Sequence, residues 1–161
     1  MTSRSDVEAA CAQAVDNLRR AFGERLVALA LYGSAARAGT GWHDLDFYAI
    51  IRELPLDLVD RDRSADKALG ALHPPYRRGI LTKTPEEFDA DVTPLMLDVA
   101  VDARILWDPQ GYLASRLERL RAILRDAHLE RETHDYGFLW VFRHPPRGLW
   151  ELDWQGLREV G

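Results

Sequence analysis

The stretch "RLVALALYGSAARAGTGWHDLDFYAI", residues 25–50, constrains this chain most. It begins with a nearly continuous apolar run, 25–32, the pattern of a strand buried on both faces. Gly33 and Ser34 stop that run, a small-residue loop with Arg37 follows, and Asp44 and Asp46 stand at the start of a second strand pattern, 45–51. Gly33 lets the backbone turn tightly and lets a ligand approach the main chain. Gly33 and Ser34 sit just past a strand's C-terminal end, where α/β sheets commonly present ligand sites. "SAARA" predicts a helix start, whose free N–H groups and positive dipole end favour an anion such as phosphate. The Ser34 hydroxyl and Arg37 guanidinium add donors for the same anion.

Asp44 and Asp46 are two apart on the second strand, so both point to one face while Leu45 and Phe47 point into the core. Two converging carboxylates repel, and a divalent cation between them removes the repulsion. Mg²⁺ suits the pair, being hard, oxygen-loving and usually bound by one or two carboxylates plus phosphate oxygens. An Asp-x-Asp alone, or a Gly-Ser alone, is commonplace on a solvated strand or turn. The order strand, Gly-Ser, Arg, loop, Asp-x-Asp, strand is far more restrictive, and it is the minimum equipment for using a nucleoside triphosphate.

Around this stretch the chain reads as one mixed α/β (α+β) domain over 1–161. Its core covers about 25–125, with a C-terminal helix and aromatic hairpin at 112–156. Helical spacing predicts an amphipathic helix over 5–22 with Ser5 as cap, and another over 56–72 stopped by Gly70 and Pro74-Pro75. "RRGILTKT" (77–84) reads as a third strand. Thr84, Pro85 and Glu87 then form a helix start with a capping box. Residues 94–103 fit a short buried helix better than an alternating strand, and 104–107 a brief strand. A charged amphipathic helix follows over 112–130, whose arginines (116, 119, 121, 125) read as a solvated face. The tail suggests two strands around a Pro-Pro-Arg-Gly turn.

Composition narrows the function classes. Net charge is −5, so any pull on nucleic acid or anionic membrane must come from a local patch. Cys11 is the only cysteine, which excludes an internal disulfide and a cysteine-rich zinc site. No stretch nears the ~20 apolar residues of a membrane span, and the N-terminus lacks a signal-peptide core, so a cytoplasmic location is expected. No Gly-Lys-Ser or Gly-Lys-Thr occurs, which excludes a Walker-type loop. "GTG" at 39–41 precedes a strand instead of opening a helix, and reads as a turn. The remaining histidines show no metal-ligand spacing. Trp140, Phe142, Trp150 and Trp154 fit packing or a subunit interface, including self-association, better than base stacking.

The ordered motif resembles the signature of the DNA polymerase β-like nucleotidyltransferase superfamily, in particular its minimal nucleotidyltransferases. "KTPEEFDAD" and "PLMLDVAVDARILWDPQGYL" are similar to the later part of its small prokaryotic members. The resemblance implies that Gly33 and Ser34 hold the triphosphate and that Asp44 and Asp46 bind Mg²⁺. The implied reaction transfers a nucleoside monophosphate to an acceptor hydroxyl and releases pyrophosphate, with metal ions ~3.5–4 Å apart flanking the transferred group. Small proteins of this type often accompany a helical HEPN-type protein as the antitoxin half of a pair, so such a partner is the alternative expectation. A small-molecule acceptor such as an aminoglycoside is disfavoured, since those enzymes usually carry an extra helical domain. Active members usually have a third acid on the next core strand, and "RRGILTKT" has none. Asp98 supplies it only if "MLDVAV" is that strand. Ala38 displaces the glycine that usually follows the motif arginine, and His43 stands where a serine is common.

Overall fold

The computed structural model describes residues 3–37, 44–73 and 76–161. Strand β1 (Leu26–Tyr32) pairs antiparallel with β2 (Asp44–Ile51), and β2 pairs parallel with β3 (Arg77–Lys83). A parallel neighbour needs a crossover, and helix α3 (Leu58–Leu69) supplies it. Strand β4 (Arg104–Trp107) closes the other side of β1, giving the order β3-β2-β1-β4.

Every residue of β1 except Tyr32 is buried, as its unbroken apolar run predicts. Leu29 and Leu31, with Leu45, Phe47, Ala49 and Ile51 of β2, face α1 (Arg4–Phe22) and α3. Ala28, Ala30, Tyr48 and Ile50 face the opposite layer, made by α4 (Pro85–Ala90), α5 (Pro94–Asp102) and α6 (Tyr112–Asp126). The sheet is thus sandwiched between helices, and the expected mixed α/β architecture is present.

Several local readings shift. Ser3, not Ser5, caps α1, accepting from the Asp6 amide while Asp6 reaches back to the Ser3 amide. The α4 capping box forms as read, between Thr84 and Glu87. Residues 94–102 are indeed helical. Helix α6 stops at Asp126, short of 130, and the next turn carries His128 at φ 50°. The α6 arginines are not simply solvated: Arg116 pairs with Asp89, Arg119 donates to the Trp154 carbonyl and Arg121 to the Ala100 carbonyl. They fasten α6 to its neighbours.

The tail holds four strands, not two. β5 (Leu129–His134) pairs with β6 (Gly137–Phe142), and β7 (Leu149–Asp153) with β8 (Gly156–Val160). Residues 145–148, Pro-Pro-Arg-Gly, join the two hairpins instead of turning one. Two successive prolines remove two backbone donors, so β6 and β7 do not continue into a common ladder. "LERETH" escapes a hydrophobicity reading because it carries only one large apolar residue. Trp154 packs on Phe88 and Phe142 meets Trp150 edge-on, so the tail aromatics serve mainly as packing. The longest helices carry charged faces, and no described helix is long and apolar enough to cross a membrane.

One buried charge pair stands out. Arg61 on α3 is 4% exposed, and its guanidinium donates to both Glu87 carboxylate oxygens at 2.8 and 2.9 Å and to the Pro55 carbonyl. These bonds hold the Glu87 carboxyl below its ordinary range despite its partial burial. Arg61→Met removes the cation but keeps apolar length, leaving Glu87 and the Pro55 carbonyl short of donors. The expected cost is about 2–3 kcal/mol, reduced from a fully buried pair because Glu87 partly faces water. Urea unfolding checks it; a change under about 0.5 kcal/mol would show the pair to be idle.

Candidate functional site

The site lies where β1 ends and β2 begins, at one edge of the sheet ends. The antiparallel register sets Tyr32 opposite Asp46, so the chain leaves β1 beside the carboxylate. Gly33 follows with φ 75°, a left-handed conformation that disfavours side chains. A Cβ added to Gly33 would stand 3.0 Å from Asp46 Oδ2, so a side chain there would crowd the carboxylate as well as strain the turn. The bend and the carboxylate are therefore in direct apposition.

Ser34 opens α2 (Ser34–Arg37), a single turn in which the Ala36 and Arg37 amides donate back to the Gly33 carbonyl at 3.2 Å. One turn has little macrodipole, so the expected anion preference rests on its unpaired leading N–H groups and the exposed Ser34 hydroxyl. Arg37 is otherwise engaged than its sequence position suggests. Its Nη1 donates to Asp102 Oδ2 at 2.7 Å, and its guanidinium lies 4.7 Å from the Phe138 ring centroid.

Asp44 and Asp46 share the face of β2 that looks toward α4 and α5, as strand alternation predicts. Burial, with the neighbouring charge of Asp44, pushes the Asp46 carboxyl above its ordinary value. Burial and the Asp46 charge push the Tyr32 hydroxyl up as well. Among the described residues, Asp44 Oδ1 is buried without a hydrogen-bond donor, and Arg77 Nε stands 3.5 Å from it on a largely exposed side chain. An orphaned carboxylate oxygen beside a second, mutually repelling carboxylate is a donor set that fits a hard divalent cation. Among the described residues no group of three or more His, Cys, Asp or Glu is gathered to hold a metal.

The third acid is absent from the adjoining strand. The parallel register pairs Asp44 with Arg77 and Asp46 with Gly79. A Cβ on Gly79 would lie 3.2 Å from Asp46 Oδ1, so position 79 is the point on β3 nearest that carboxylate. Asp98 does not fill the gap. It sits on α5 and accepts from Arg131 Nη1 at 3.3 Å and from the Trp140 indole at 3.2 Å. Glu87 is committed to Arg61. The "GTG" turn and His43 lie outside the described residues.

No family model matches the chain. A crystal structure of a mutant of the toxin–antitoxin MntA-HpeT is similar with a TM-score of 0.51 and 20% identity, over 71% of this chain and 85% of that one. This chain has the mixed α/β fold of the MntA nucleotidyltransferase. A curated relative, the putative protein adenylyltransferase of Methanocaldococcus jannaschii, is 28% identical over 115 residues, covering 66% of this chain and 76% of the relative. A tri-AMPylated Shewanella oneidensis HEPN toxin in complex with MNT antitoxin gives a TM-score of 0.41 at 17% identity, over 74% and 92% of the two chains. Within the nucleotidyltransferase fold described here, the sequence located the bend and the acid pair. It gave no hint of Asp102, Arg131 and Phe138 beside Arg37, which are brought there only by tertiary folding.

Proposed function

We propose that this chain is a nucleotidyltransferase that uses Mg²⁺ and a nucleoside triphosphate, ATP foremost, to modify a hydroxyl on a partner protein of the HEPN type. The observation that carries the reading is the contact between Gly33 and Asp46, with the orphaned Asp44 oxygen beside it. The M. jannaschii relative, named a putative protein adenylyltransferase, supports adenylyl transfer and a protein acceptor.

Asp44 and Asp46 would hold Mg²⁺, which when bound supplies charge neutralisation to the polyphosphate. The bend at Gly33 and the Ser34 hydroxyl would bind phosphate oxygens through N–H and O–H donors, with Arg37 as a charged donor. In the reaction the acceptor oxygen forms a bond to the α-phosphorus, the bond from that phosphorus to the β-bridging oxygen breaks, and pyrophosphate departs. The acceptor proton leaves to solvent, because β3 carries no carboxylate to take it.

A second reading is favoured by Gly79 and Arg77 on β3. A cleft with two acids among the described residues, one of them near a cation, would bind nucleotide and the partner with little or no transfer. Calorimetric titration of the protein with Mg²⁺-ATP, followed by incubation of the co-purified partner with α-phosphate-labelled ATP, separates the readings. Binding at micromolar to millimolar concentration with label on the partner is expected. Binding without label leaves the second reading standing, and no binding at millimolar ATP removes both.

A further inference from the structure

Arg37 leaves the phosphate-binding turn and meets residues from remote parts of the chain. Asp102, at the last turn of α5, is the hub: its side chain is 5% exposed and accepts from Arg37 and, through both oxygens, from Arg131 of β5 at 2.7 Å each. Burial alone would raise the Asp102 carboxyl, but the Arg131 and Arg37 bonds outweigh it and keep it ionised. Phe138 of β6 lies under both guanidiniums, 4.7 Å from Arg37 and 4.1 Å from Arg131. Asp98 adds a bond to Arg131, so the hairpin arginine is held from two α5 positions.

This arrangement has an asymmetry. If Arg37 swings away, Asp102 keeps two charge-assisted bonds from Arg131 and is not left as a buried unpaired charge, the costly outcome. Arg131, by contrast, is only 15% exposed and is held by both Asp98 and Asp102. Arg37, 35% exposed on its side chain, is the member free to move. A resting contact on Asp102 and Phe138 also spares part of the rotamer entropy that an unrestrained arginine loses on meeting an anion.

We propose that the β5–β6 hairpin completes the nucleotide site, with Arg131 and Phe138 acting as positioning residues that hold Arg37 ready to pass from Asp102 to the triphosphate. The inference rests on the nucleotide site proposed above. It makes the C-terminal tail part of the binding machinery.

The test is calorimetric titration with Mg²⁺-ATP of the intact chain and four variants: Phe138→Leu, Arg131→Met, Arg131→Lys and Arg143→Ala. Phe138→Leu and Arg131→Met are expected to raise Kd about five- to tenfold, the scale of one charge-assisted bond less well held. Arg131→Lys, which keeps the charge without the fork, should recover part of that loss. Arg143→Ala, which cuts an ion pair to Glu130 on the same hairpin, should leave Kd unchanged. Thermal midpoints without ligand show whether each variant is folded, and Phe138→Leu and Arg131→Lys keep the test open if Arg131→Met is not. Folded variants with unaltered Kd, or an equal loss in Arg143→Ala, overturn the inference while the nucleotide site stands. An unaltered chain that binds no ATP overturns both.

Discussion

Replacing Asp44 and Asp46 together by asparagine is expected to abolish Mg²⁺-dependent ATP binding and to lower nucleotidyl transfer by at least ~10²–10³-fold, the scale of losing a preorganised electrostatic group. Asparagine keeps the shape and the strand but offers no negative charge to a cation. The same change should make the ligand-free protein more stable. Asp46 has its carboxyl raised in the folded state, by burial first and by Asp44 second. For a raised group, the favourable protonated contribution is complete below the unfolded value and is lost as pH climbs through the folded one. At neutral pH the ionised Asp46 is therefore a burden on the fold, and asparagine relieves it. A rise in Tm of about 1–3 °C without ligand is expected, together with loss of the Mg²⁺-ATP-induced rise. Differential scanning calorimetry reads both. An undiminished ATP-induced shift in the double variant would place the nucleotide elsewhere.

Gly79→Asp is expected to act in the opposite sense. The residue opposite Asp46 on β3 is a place where a carboxylate can join the pair from the neighbouring strand. The new Cβ would start 3.2 Å from Asp46 Oδ1, so the Asp46 side chain must give by a few tenths of an ångström, which a side chain lying at the cleft can do. Without metal, three acids repel and the protein should lose about 1–2 kcal/mol, seen as a Tm lower by a few degrees. With Mg²⁺ the added ligand offsets the repulsion, and an acid able to accept the hydroxyl proton should raise the transfer rate by roughly 10²-fold. The comparison is made with saturating Mg²⁺-ATP and the partner protein. A folded variant whose metal affinity and transfer rate both stay at the parent level would show that position 79 does not face the reacting groups.

How much of this was legible in the chain depends on the range over which each feature is set. The β1 run, the Thr84–Glu87 box and the short α5 were legible because burial on both faces, capping and helical spacing are local patterns. The Gly33 bend and the one-face placement of Asp44 and Asp46 followed from a turn residue and strand alternation. The resemblance then supplied the fold, and the missing acid on β3 was visible as an absence in "RRGILTKT". What sequence could not supply was register. Only pairing β2 with β3 shows that Gly79 is the residue facing Asp46. The sequence makes Arg37 a donor to the anion but does not show its partners, which lie far along the chain at Asp102 and Phe138. The C-terminal hairpins were half missed, since "LERETH" gains its strand from pairing with β6 and not from its own hydrophobicity.

The sheet order also bears on how the chain is made. β1 is the most apolar strand, and its two flanks are filled by β2, which follows closely, and by β4, which comes only after β3, α4 and α5. A nascent chain emerging from the ribosome therefore presents "LVALALY" with one flank bare, a template for unwanted pairing with other unfinished chains. The four residues Arg104–Trp107 act as a late-arriving cover strip, and synthesis that stalls before them should leave a fragment that depends on chaperones to stay in solution.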